Sequence, residues 1–168
     1  MSSPRTNAAL VPGVPALLPS YASLDDPIAD LRAACGAAVA GLGPRVALLA
    51  SGSGLRVARS LMAETGSEEV TDDATGVLVV GNGSAKRSLK APGHLDDRAE
   101  VFDDDLRRAL LAPLPVALAA LDQQLAEEMW ADVAGIRRLG ELLTPAHTAE
   151  VLYDAAPFGV QYWVIRWA

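Results

Sequence analysis

Apolar runs alternate with amphipathic segments along the first half of the chain. Residues 8–11 form a short apolar run that ends in prolines and a glycine, and they predict a first buried strand. Residues 45–50 and 76–80 predict two further strands, the former buried on both faces like a central parallel strand. Helical spacing predicts one helix from an Asp26 N-cap to Leu42, between the first and second strands, and another over residues 55–65, between the second and third strands.

The second half of the chain reads as helical until its end. Residues 97–111 and 131–143 predict helices, and a third is predicted from Leu118, Leu121, Leu125 and Met129. Residues 150–153 and 160–167 predict two terminal strands joined by a loop. This order predicts an α/β three-layer sandwich with a mainly parallel central sheet, helices on both faces and one antiparallel edge. We expect residues 1–7 to be a disordered tail and residues 8–168 to form a single domain.

Composition narrows the class of protein. A chain of 168 residues with 51% hydrophobic content can bury one core, and its apolar runs are too short to cross a membrane. A single cysteine and the lack of a secretory leader pattern predict a cytoplasmic protein. The net charge of −7, without a basic stripe, makes nucleic acid an unfavourable partner.

Two glycine-serine loops follow predicted strands. Ligands of α/β sheets bind at the carboxyl ends of the strands, so these loops and the one around Gly13 predict a site for a small anionic ligand. The candidate ligand-binding residues are Gly13, Ser51, Gly52, Ser53, Gly54, Asn82, Gly83, Ser84, Lys86 and Arg87. Neither loop matches a known phosphate-binding pattern, so the alternative, that the glycines only let strands turn into helices, is favoured.

His94 is the candidate acid or base. It precedes Asp96 and Asp97, and an imidazole oriented by a carboxylate could act on a nucleophile such as Ser84. The chain has no nucleophile elbow, so a surface or capping histidine is the favoured alternative.

Aromatic residues gather at the C-terminus. Alternation places Trp163, Ile165 and Trp167 on one face of the last strand. That face predicts either core packing, which is favoured, or a partner surface through which the chain forms a homodimer.

Four stretches, in order along the chain, carry a family resemblance. They read ALVPGVPALLP over residues 9–19, GNGSAKRS over 81–88, KAPGHLDDRA over 90–99 with Phe102 and Asp103 soon after, and LYDAAPFGVQY over 152–162. Together they resemble an actinobacterial branch of the class III extradiol ring-cleavage dioxygenase B-subunit superfamily. The resemblance implies that superfamily's fold in a shortened chain.

The resemblance also implies an iron site that this sequence does not reproduce. The superfamily holds Fe(II) with two histidines and a carboxylate and uses a further histidine as acid and base. The matching positions here are Gly13, the 51–54 loop and Ala85, and the chain's two histidines, His94 and His147, lie elsewhere. We therefore expect no bound metal and no cofactor.

The leading hypothesis is a metal-free, non-ring-cleaving relative of this dioxygenase subunit that acts as a binding or assembly protein. One alternative is a metal-independent enzyme or sensor for a small anionic ligand at the glycine-serine loops. Another is a residual dioxygenase-like metalloenzyme with a weak divalent site among Asp96, Asp97 and Asp103.

Overall fold

A computed structural model describes residues 6–21 and 24–168 and shows an α/β fold. Residues 1–5 of the predicted tail lie outside the described residues, while Asn7 already belongs to the first strand. The strands are β1 (Asn7–Val11), β2 (Arg45–Leu49), β3 (Glu68–Glu69), β4 (Gly76–Val80), β5 (Ala149–Ala155) and β6 (Tyr162–Trp167). The helices are α1 (Ala29–Ala40), α2 (Ser53–Thr65), α3 (Ala99–Leu111), α4 (Pro115–Ala119), α5 (Gln123–Glu128) and α6 (Ala134–Leu142).

The six strands form one mixed sheet in the order β3-β2-β4-β1-β6-β5. Neighbouring strands from β3 to β1 are parallel, whereas β6 is antiparallel to β1 and β5 is antiparallel to β6. The prediction of a mainly parallel sheet with a single antiparallel edge was therefore wrong. The reason is local, because the short loop 156–161 between β5 and β6 can join only antiparallel neighbours.

Alternate residues of the central strands enter two separate cores. Ala9 and Val11 of β1 pack with residues of α1 and α2. Ala8 and Leu10 pack with residues of α3 to α6 and with the face of β6 that carries Trp163, Ile165 and Trp167. This alternation follows from the two-residue period of a strand.

The aromatic stripe of β6 belongs to the core. Trp163 and Trp167 are each 1% exposed, and β6 lies inside the sheet between β1 and β5. Core packing is thus confirmed, and the alternative prediction of a partner surface on this strand face was wrong. The edge of the sheet on this side is β5, which carries a bulge between Val151 and Tyr153.

Three further predictions need correction. Strand β2 is not buried on both faces, because Val46 alone is fully buried and the neighbouring β3 is too short to cover the rest. The helix predicted across Leu118 to Met129 is divided into α4 and α5, and the Asp122 side chain caps α5 by accepting from the Leu125 N–H. Helix α1 begins at Ala29 rather than after Asp26.

In the described part of the chain, every helix is too short or too polar to cross a bilayer.

Candidate functional site

The carboxyl ends of β1, β2 and β4 meet, as the order of the elements predicted. The Gly13 N–H donates to the Asn82 side-chain oxygen at 3.1 Å, and the Gly81 N–H donates to the Val11 carbonyl at 3.1 Å. A Cβ added at Gly13 would lie 3.1 Å from Val80 and 3.7 Å from the Gly54 Cα. The three loops named in the sequence therefore share one place in the fold.

The backbone of the loop after β4, residues 81–87, is turned towards the protein. Five of its N–H groups donate to acceptors from other elements at 2.7 to 3.0 Å. The pairs are Asn82 with the Asp132 carbonyl, Gly83 with the Gln161 carbonyl, Ser84 with the Asp103 carboxylate, Ala85 with the Met129 carbonyl, and Arg87 with the Gly159 carbonyl. These donors are already bonded and do not face a ligand.

Ser84 and Asp103 form a buried pair. Ser84 is 0% exposed, Asp103 is 1% exposed, and the Ser84 hydroxyl donates to the Asp103 carboxylate at 2.6 Å. The Arg87 guanidinium donates to the same carboxylate at 3.3 Å and to the Gln161 side-chain oxygen at 3.1 Å. Burial raises the pKa of Asp103, and the bonds from Ser84 and Arg87 oppose that rise.

The pair continues as a network that reaches the β5–β6 hairpin. The Gln161 amide donates to the Asp154 carboxylate at 2.8 Å, and Arg107 of α3 donates to that carboxylate from the other side. This arrangement fixes the 81–87 loop against α3 and the hairpin. The polar groups of this network bond to one another, which is typical of a network with a structural role.

Asp103 and Gln161 are the residues that sequence reasoning did not place in this site. Asp103 did leave a signal, because it lies three residues before Leu106 and seven before Leu110, on the apolar face of α3. A carboxylate on a buried helix face predicts a buried partner. Gln161 left no local signal.

The loop at residues 51–54 has a different character. Ser51, Gly52 and Ser53 are exposed, while the Gly54 N–H donates to the Ser51 carbonyl at 3.1 Å. A Cβ at Gly54 would lie 3.0 Å from a Val80 methyl, and Gly52 adopts a φ of +55°. The two glycines therefore serve close packing and the turn into α2.

Lys86 and His94 lie on the outer side of the 81–98 segment. The Lys86 ammonium is 5.6 Å from the centre of the Trp130 ring, a cation–π contact. His94 is exposed with a φ of +58°, and its Nδ1–H donates to the Leu89 carbonyl at 3.3 Å. Because the Ser84 hydroxyl is bonded to Asp103, the predicted Ser84–His94 pair is not formed in this structure.

Two acidic residues of the third hypothesis, Asp96 and Asp103, have separate partners. Hydrogen bonds from the Arg98 side chain lower the pKa of Asp96 to about 2, whereas Asp103 is held by Ser84 and Arg87. Across the residues that the structure describes, no three His, Cys, Asp or Glu side chains gather closely enough to hold a metal ion. The resemblance implies two iron-ligand histidines at Gly13 and in the 51–54 loop and an acid–base histidine at Ala85, and none of these positions supplies an imidazole that would fit Fe(II) chemistry.

His147 is buried and serves the fold. Its Nδ1 accepts from the Thr144 N–H at 3.0 Å, and its Nε2–H donates to the Thr6 carbonyl at 3.2 Å. The ring thereby ties the start of β1 to the segment before β5.

Comparison with known proteins finds no family pattern that matches this chain and no match among curated proteins. The candidate site is therefore interpreted from its own geometry.

Proposed function

We propose that this chain is a metal-free, non-ring-cleaving relative of the class III extradiol dioxygenase B subunit that acts as a binding or assembly protein. The observation that carries the proposal is the inward-facing 81–87 loop, in which the N–H groups of residues 81–85 and 87 and the Ser84 hydroxyl bond to protein acceptors. The alternation of two cores across the sheet is the packing that a three-layer sandwich of that family would need.

Two alternatives have less support. An anionic ligand would need free donors, yet Gly13 donates to Asn82 and the Arg87 guanidinium donates to Asp103 and Gln161. A nucleophilic Ser84 would need access to substrate and a base, and it is fully buried beside a carboxylate. A residual iron enzyme would need imidazoles where the chain has glycine, serine and alanine.

Features of the outer surface favour binding. The segment from residue 81 to residue 98 has no helix or extended strand, and long irregular segments in compact domains are usually functional. It exposes Leu89 and Leu95, and an exposed apolar side chain in a rigid loop suits contact with a partner. Burial raises the pKa of Cys35 to about 12, which makes this thiol unreactive. The cytoplasmic location that we also propose rests on the single cysteine of the sequence.

Metal content and oxygen uptake test the proposal. The full chain is purified anaerobically, with one sample reconstituted with Fe(II), and both are measured by metal mass spectrometry and for oxygen uptake with catechol. We expect substoichiometric iron and no uptake above buffer. Stoichiometric iron with uptake would overturn the proposal, and a His94→Ala control would then show whether the exposed imidazole is a ligand.

Phosphate tests the anionic-ligand alternative in the same preparation. Thermal unfolding is followed at increasing inorganic phosphate, with chloride at matched ionic strength as the control. We expect the two salts to give the same small shift. A saturable rise specific to phosphate, lost in Ser53→Ala, would favour an anion site at the 51–54 loop.

A further inference from the structure

An exposed surface of mixed apolar and basic character surrounds the outer side of the 86–95 loop. We call it the loop face, and its residues are Lys86, Leu89, Lys90, Leu95, Trp130 and Phe158. Its four apolar side chains are between 46% and 76% exposed. Apolar side chains grouped in this way mark interaction surfaces more often than those that occur singly.

Contacts within the fold bring together the three segments that carry these residues. The Lys86 ammonium lies 5.6 Å from the Trp130 ring, and Arg98 donates to Glu128 at 2.8 Å, which ties the loop to α5. On the other side, Gly159 packs so closely on Ala91 that an added Cβ would lie 2.5 Å from it. Phe158 therefore continues the surface from the β5–β6 hairpin, and Trp130 continues it from α5.

Trp130 has a backbone conformation that is unfavourable for a large side chain. It follows α5 with a φ of +56°, the left-handed conformation in which helices usually place glycine. Trp130 donates its N–H to the Glu127 carbonyl, and Ala131 donates to the Ala126 carbonyl, so the helix end needs this backbone conformation. A strained and exposed tryptophan is typical of a contact residue, since tryptophan dominates binding energy at interfaces.

The edges of the sheet are poor sites for association. Strand β3 is two residues long, and both of them are glutamates. Strand β5 has a bulge and carries Glu150 and Asp154 in ion pairs with Arg166 and Arg107. Short, charged and bulged edges resist pairing with a second sheet.

The charges of the loop face fit a second copy of the chain. Lys86 and Lys90 are the two lysines of the sequence, and the same two segments of the loop face carry exposed acids, Asp97 in the 81–98 segment and Glu127 in α5. A twofold axis could bring the lysines of one copy against the acids of the other. The chain as a whole has a net charge of −7, which disfavours contact between copies through its purely acidic surfaces.

We propose that the loop face is a homodimer interface in which Trp130 is the central anchor. The inference rests on the proposed assembly role and names its partner as a second copy. Four partly exposed apolar side chains of ordinary size offer roughly 400 to 500 Å² per copy. That is about half of a standard interface, which is the size of weak and transient complexes.

Sedimentation velocity of the full chain from about 1 to 500 µM tests the interface. We expect the weight-average sedimentation coefficient to rise with concentration for the wild type. Trp130→Gly should weaken association by at least about 30-fold. Because glycine suits the left-handed backbone, that variant should unfold at the same or a higher temperature, which excludes misfolding as the cause.

Val116→Ser is the matched control. Val116 is also a large exposed apolar residue, but it lies in α4, in an apolar groove with Leu114 and Pro145. We expect this variant to associate like the wild type. Dissociation by Val116→Ser but not by Trp130→Gly would overturn the loop face as the interface, and so would a wild type that stays monomeric at all concentrations.

Failure of this inference and failure of the proposed function give different results. A monomeric protein without iron or oxygen uptake would overturn the dimer and leave the absence of ring cleavage intact. A protein that takes up iron and oxygen would overturn the proposed function whatever its sedimentation behaviour.

Discussion

Replacing Asp103 by alanine should destabilise the fold more than any other single change in the candidate site. The carboxylate accepts from the Ser84 N–H at 2.7 Å and from the Ser84 hydroxyl at 2.6 Å, and it faces Arg87 at 3.3 Å. Removing it leaves both Ser84 donors buried without an acceptor. Arg87 keeps its bond to Gln161, so it is less affected.

The size of the effect follows from two opposing contributions. Each hydrogen bond to a charged acceptor contributes about 1.5 to 3 kcal/mol, and Ser84 makes two of them. Relief of the buried charge offsets part of this loss, because burial already raises the pKa of Asp103. We expect Asp103→Ala to lower the free energy of unfolding by about 3 to 5 kcal/mol, as for other broken buried pairs.

Urea unfolding at neutral pH, followed by tryptophan fluorescence, measures this free energy. Asp104→Ala on the same helix is the control, since Asp104 is exposed, and its effect should stay within about 0.5 kcal/mol. Ser84→Ala and the double variant complete a cycle that isolates the coupling. If Asp103→Ala behaves like the control, the Ser84–Asp103 pair does not stabilise the loop and our account of the site fails.

Three further outcomes are expected from the same unfolding assay. Gly83→Ala should lower the free energy of unfolding by about 2 to 3 kcal/mol, because the added Cβ would lie 2.6 Å from Asp103. Gly36→Ala in α1, where the added Cβ meets open space, should raise that free energy by about 0.5 to 1 kcal/mol. Equal effects of the two substitutions would contradict this packing. Since burial raises the folded pKa of Asp103, its own contribution to stability should be full below about pH 4 and fall as the pH rises, so the stability of the wild type relative to Asp103→Asn should fall in a pH series. His147→Ala should cost about 1 to 2 kcal/mol by losing its bonds to Thr144 and Thr6, and no loss would show that the ring is dispensable.

The hydrophobic pattern of the sequence predicted best those strands that are buried along their whole length. Strand β4 is buried along its whole length, and its apolar run gave the correct bounds at Gly76 and Val80. Strand β2 has the same kind of sequence but lies beside the very short β3, so its exposure depends on a neighbour that the run does not describe. Burial of a strand is a property of the sheet around it.

The glycine-serine loops show the same limit for the site. Their convergence could be predicted, because the carboxyl ends of parallel strands share one side of a sheet. The direction of their N–H groups could not, since the acceptors come from Asp103, Met129, Asp132, Gly159 and Gln161, which are distant in sequence. Among these acceptors, only the position of Asp103 on the apolar face of α3 indicates a buried polar contact from the sequence.

The two sides of the 81–98 segment support a single interpretation. Its inner side is held by backbone bonds and by the Ser84–Asp103 pair, and its outer side presents Lys86 with Leu89. A loop that is already fixed loses little conformational entropy on binding, so even a small apolar surface can support association. The same bonds that close the segment to a small anion therefore prepare it for a protein partner. This link predicts that Asp103→Ala, where it remains folded, should weaken self-association although Asp103 itself lies outside the loop face.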